Sequence, residues 1–95
     1  MSVHGEFSRS LESVISCIRA VDRPERAGWL ARLESARLAR HPDLSSAARD
    51  ALQAIALLEP AATDSARLAQ ERNHLAAHCR IILGLVSPKD GTAKG

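Results

Sequence analysis

The sequence predicts an all-α fold, a small antiparallel bundle of about four helices, and three observations predict it. Apolar residues recur at three- and four-residue steps through most of the chain. Prolines and capping residues fall between these periodic runs. The 45% of residues that are hydrophobic include one Phe, one Trp and no Tyr. At 100° per residue the periodicity lays apolar side chains along stripes. A core left to Leu, Ile, Val and Ala suits closely approaching helices better than a sandwich or barrel.

The longest periodic run without proline is 65–86, SARLAQERNHLAAHCRIILGLV. Leu68, Leu75, Cys79, Ile82 and Val86 share one stripe, and in the second half Ile81, Ile82, Leu83, Leu85 and Val86 spread apolar character around the helix. A helix that is apolar on several sides expects neighbours on several sides. This segment is therefore expected to be the central helix of the bundle, the fourth in order (64–86), or the seam of a dimer.

The first helix is expected over 6–21, where Phe7, Leu11, Val14, Ile15, Ile18 and Val21 form a stripe about 120° wide at 100° per residue, with Arg9, Glu12, Ser13, Ser16 and Arg19 opposite. Residues 1–5 carry no pattern and are expected to fray. Asp22-Arg23-Pro24-Glu25 supplies a stop and a start, with Asp22 as cap, Pro24 in the first turn and Glu25 completing a capping-box-like arrangement. A second helix then runs over 24–40. Trp29, Leu30, Leu33 and Ala36 share one side of it, while Arg26, Arg37 and Arg40 project from nearly the same side. Arginine stems lying over apolar surface account for this structurally. An Arg–Trp contact patch accounts for it functionally, because interfaces favour those residue types.

His41-Pro42-Asp43 ends the second helix, since the residue before proline is pushed out of the helical region. Asp43 or Ser45 caps a third helix over 44–58, with Leu44, Ala47, Ala48, Ala51, Leu52, Ile55 and Leu58 on one face. Alanines in its middle let a neighbouring helix approach. Glu59-Pro60 is expected to close it, Ala61-Ala62 to connect, and Thr63 or Asp64 to cap the fourth helix. Gly28 and Gly84 lie inside helical patterns, where glycine costs about 1 kcal/mol relative to alanine. A close helix crossing is expected at each. Residues 1–87 read as one helical domain and 88–95 as a disordered tail. Loops of two to five residues imply antiparallel neighbours, and 95 residues is a size at which a homodimer is expected to supplement the core.

Composition narrows the function. Thirteen basic residues, eleven of them Arg, oppose eleven acidic ones for a net charge of +2, which is no polyanion-binding signature. The locally basic second helix, with Arg19 and Arg23 beside it, carries what case there is for nucleic acid, and that is the third of three readings. No basic start precedes an apolar run, and no window reaches the ~18 apolar residues of a membrane span. A cytoplasmic location without membrane contact is expected. Cys17 and Cys79 read as free thiols within helices, not as a disulfide.

His74 and His78 have ligand-like spacing, stacked one turn apart, with Glu71 making a Glu-x-x-His step. This motivates a second reading, a metal- or haem-binding bundle. Further ligands would have to come from His41, His4 or Cys79, and Cys79, adjacent to His78, points about 100° away. There is no Gly-x-Ser-x-Gly turn and no glycine-rich loop before a helix, so neither nucleophilic catalysis nor a phosphate cradle is indicated. The first reading is thus a non-enzymatic protein-interaction module, a small regulatory or adaptor protein without cofactor. It would act through Trp29, Arg26, Arg37 and Arg40, or through the His74–His78 edge of the fourth helix.

Overall fold

The computed structural model describes residues 3–63 and 65–85. It is all-helical over those residues, with four main helices and two short segments: α1 Val3–Arg19, α2 Arg26–Ser35, a 3-10 turn Leu38–Arg40, α3 Leu44–Ala56, α4 Glu59–Ala62 and α5 Ala66–Ile82. The tail expected over 88–95 lies outside the described residues. Among the described residues no helix is long and apolar enough to cross a membrane.

α1 is the element that the periodicity specified best. Phe7, Leu11, Val14, Ile15 and Ile18 are all buried, and Val21 follows them into the core just past the helix end. The helix begins at Val3, a turn earlier than the stripe, because an established helix gains a hydrogen bond for each residue added.

α5 runs antiparallel to α1, with Glu6 near His78 at one end and Cys17 sharing a groove with Ser65 at the other. It also runs antiparallel to α3, where Leu52 and Arg80 flank one groove and Glu59 pairs with Arg72. α2 packs on α1 and α3, so the core lies between α1, α3 and α5 with α2 closing a side. Ala47, Ala48, Ala51 and Ala54 are all buried on α3, as close approach requires.

Several boundaries differ from the sequence expectation. α2 stops at Ser35 where 24–40 is expected, because Arg37 is extended (φ −61°, ψ 142°) and breaks the helix before the 3-10 turn. That break brings Leu38 against the core and Arg37 beside Glu12 of α1. Asp22 does not cap α2: its N-cap is Glu25, which makes no side-chain capping bond. Glu59-Pro60, expected to close the third helix, opens α4 together with the expected connector Ala61-Ala62, the proline ring accommodated in the first turn. Ser65, and not Thr63, caps α5, its hydroxyl accepting from the Leu68 N–H at 3.2 Å; Asp64 lies outside the described residues. Asp43 caps α3 as expected, accepting from the Ser46 N–H at 2.8 Å. That hydrogen bond holds the Asp43 carboxyl below its ordinary value, so the cap's contribution is complete above the carboxylate range and is lost as pH falls through it.

Neither glycine sits at a helix crossing. A Cβ built on Gly28 meets nothing within 4 Å. Gly84 has φ +76°, and the N–H of Leu85 reaches the carbonyl of Arg80 at 2.8 Å while that of Gly84 reaches Ile81 at 3.1 Å. This pair of bonds is a Schellman stop, which wants glycine in the left-handed conformation. It ends α5 at Ile82, although apolar residues continue beyond. The two glycines therefore predict opposite signs. Gly28→Ala is expected to stabilise by about 0.5–1 kcal/mol, and Gly84→Ala to destabilise by about 1–2 kcal/mol, both read from denaturant midpoints. Equal shifts would contradict this assignment.

Candidate functional site

The four residues expected to meet a partner on the second helix are not brought together as a free patch. Trp29 is 8% exposed and belongs to the core with Leu33 and Ala36, so the aromatic half of the expected contact surface is sealed. The reason is topological: α2 has little else to bury against α1 and α3, and an indole offers the largest apolar area available.

Arg26 donates from Nη1 to the carbonyls of Arg19 at 3.2 Å and Val21 at 3.1 Å, placing a cation on the carbonyl end of α1. Arg37 hydrogen-bonds Glu12, and Arg19 lies 3.7 Å from Glu34. Arg40 is exposed on the 3-10 turn. Arg26 and Arg37 are thus engaged in joining helices, and the carboxylates beside Arg19 and Arg37 offset the local positive charge on which the nucleic-acid reading rested.

His74 and His78 share a side of α5 as their spacing requires. The His74 side chain is 58% exposed, with Nδ1 3.9 Å from Glu71. That of His78 is one third exposed, with Nδ1 3.9 Å from Glu6 of α1. Of the further ligands considered, His41 lies elsewhere, between the end of α2 and α3; its Nε2 is 3.0 Å from the Ser35 carbonyl and 3.4 Å from Asp50. Cys79 is fully buried. Among the described residues no three His, Cys, Asp or Glu side chains gather as a metal cluster.

The expectation that α5 is surrounded on several sides holds for part of its apolar surface. Leu68, Leu75 and Cys79 are completely buried, and Ile82 and Leu83 pack against the core at its edge. Ile81, however, is 37% exposed and Leu85 is 64% exposed. At 100° per residue Ile81 falls within about 60° of both His74 and His78. The outer face of α5 therefore carries two imidazoles and an isoleucine, with Leu85 just past the helix end. The sequence showed these residues as apolar but not which of them lacked a neighbour, because that depends on where α1 and α3 lie.

The two thiols differ in the same way. Both are free. Burial pushes the Cys79 thiol up to about 12, whereas Cys17 is half-buried and lines a groove with Asp22 and Ser65. A folded value raised above the ordinary 9.0 means that the stability linked to neutral Cys79 is complete below about pH 9 and is lost as pH rises towards 12. Iodoacetamide on the native protein is expected to label Cys17 and to spare Cys79 until denaturant is added. Equal native labelling, read by peptide mass, would contradict the burial of Cys79.

No family model, curated protein or solved structure matches the chain.

Proposed function

We propose that this chain is a non-enzymatic protein-interaction module, a small regulatory or adaptor protein, that docks a protein partner through the outer face of α5. The observation that supports this reading is the exposure of Ile81 and Leu85 beside His74 and His78, at the end of a helix whose other large apolar side chains are buried or packed against the core. Single exposed aliphatic residues are ordinary on a protein surface. Here they adjoin two imidazoles on one side of the helix, so the exposed apolar surface is continuous with polar groups that can hydrogen-bond a partner. The buried position of Trp29 moves the reading from the second helix to this one.

The test is a double substitution, Ile81→Asp with Leu85→Asp, chosen because these two large apolar side chains are exposed at the end of α5. Proteins cross-linked to the wild-type chain are expected to be lost from the variant while its circular dichroism is unchanged. An identical set of cross-linked proteins would reject this face. Sedimentation equilibrium of the pure chain adds the identity of one partner: a dimer that dissociates in the variant makes a second copy the occupant, in line with the homodimer expected for a domain of this size.

A further inference from the structure

α5 presents a band of exposed residues along its length. Arg67, Gln70, His74, Ala77, Arg80 and Ile81 are all exposed and, at about 100° per residue, fall within a band about 140° wide. Arg67 and Arg80 stand near its two ends, thirteen residues and so about 20 Å apart. No exposed residue of α5 is acidic. The one carboxylate of the helix, Glu71, has a side chain only 24% exposed at the margin of the band, 3.9 Å from His74, and Glu6 of α1 lies beside His78 on that same margin. On the opposite margin Glu59 pairs with Arg72.

Neither Arg67 nor Arg80 makes a hydrogen bond or ion pair with another group among the described residues. Arg67 stands in the first turn of α5, which holds no carboxylate, so its charge adds to the partial positive charge of that helix end. The band therefore offers two unneutralised cations around a small aliphatic patch, Ala77 and Ile81 with Leu85 just beyond.

We infer that the partner received by this face is an acidic amphipathic helix, its aliphatic side chains covering Ala77, Ile81 and Leu85 and its carboxylates meeting Arg67 and Arg80. This rests on the reading of α5 as a docking face and adds the chemistry of the occupant. Carboxylates about 20 Å apart are what a helix of about four turns presents, and the small side chain of Ala77 lets such a helix approach. A second copy of this chain fits poorly. Two α5 helices paired antiparallel about their middle set Arg67 of one copy at the level of Arg80 of the other, at both ends, with no exposed carboxylate on either helix to offset them. Nucleic acid fits no better, since a phosphate backbone is held by several clustered cations and leaves Ile81 and Leu85 uncovered.

The probes are two synthetic helical peptides of about four turns, with the same leucine and alanine stripe, flanked by glutamates in one and by lysines in the other. In ¹H–¹³C methyl spectra of the full chain, the glutamate peptide is expected to shift Ala77, Ile81 and Leu85 saturably, and the lysine peptide to bind at least about tenfold more weakly. Raising the salt from about 0.05 to about 0.5 M is expected to weaken the glutamate peptide about fivefold. Arg67→Glu with Arg80→Glu is expected to reverse the preference at unchanged circular dichroism, and Arg67→Gln with Arg80→Gln, which adds no new charge, to abolish it. Equal binding of the two peptides, tighter binding of the lysine peptide, or no shift with the glutamate peptide at millimolar concentration would each overturn the inference. So would an equal response to a DNA duplex, or a dimer of the pure chain that covers these methyls. The two readings fail differently. Loss of the cross-linked proteins from the Ile81→Asp, Leu85→Asp variant, together with peptides that bind alike, keeps the face and rejects the acidic helix; cross-linking that survives in that variant rejects the face itself.

Discussion

Phe7→Ala is expected to lower the free energy of unfolding by about 3–5 kcal/mol. Phe7 is the only phenylalanine, has no exposed surface and is among the largest fully buried side chains in the molecule. Truncation removes the transfer free energy of the ring and leaves a cavity that helices fixed by their neighbours close only in part. A domain of this size has a total stability of roughly 5–15 kcal/mol, so the variant is expected to be partly unfolded at moderate temperature. Each kcal/mol corresponds to roughly 4–8 °C in midpoint for a domain of 60–100 residues. Thermal unfolding followed by circular dichroism checks this, and a midpoint within a few degrees of wild type would show that the ring does not sit in the core.

Trp29→Ala is expected to cost a similar amount, about 3–5 kcal/mol, and its effect separates a core role from a contact role. Trp29 and Leu33 are the buried residues of α2, so removing the indole takes away most of what fastens this helix to α1 and α3. Arg37→Ala is expected to cost far less, about 0–1 kcal/mol, because the ion pair with Glu12 is substantially exposed on both sides. A contact patch would give the reverse pattern, with both variants stable and both defective in association. Denaturant midpoints of the two variants measured side by side distinguish the cases.

The contrast between α1 and α2 shows what the chain reveals before it is folded. In α1 Phe7, Leu11, Val14, Ile15 and Ile18 all face the core and nothing charged interrupts their stripe, so the period of 3.6 is enough. α2 buries Trp29 and Leu33, with Ala36 just past its end, and flanks them with Arg26 and Arg37, whose work is to cap α1 and to pair with Glu12. The same residues in the same order describe a helix fastened to its neighbours or a helix presented to a partner, and only their neighbours in space decide between the two.

Gly84 reads in the sequence as a helix-crossing site, not as a helix stop, for a local reason. Hydrophobic residues continue past it, so periodicity extends the helix, whereas the backbone has already stopped in a left-handed turn. Ser65 caps α5 where the sequence points to Thr63 or Asp64, because all three residue types are competent caps and the pattern alone does not choose among them. The Arg72–Glu59 pair and the groove beside it join residues thirteen apart on different elements, and no spacing rule within one helix reveals such a pair.

The claim on which the functional account depends is that folding seals the surface of α2 around Trp29 and leaves the end of α5 open. Relaxation of side-chain protons by a soluble gadolinium chelate reads both at once in the native protein. The Trp29 indole ring and the Leu33 methyls are expected to be protected, and the methyls of Ile81 and Leu85 to relax strongly. An indole ring relaxed as strongly as Ile81 would contradict the account and return the contact surface to the second helix.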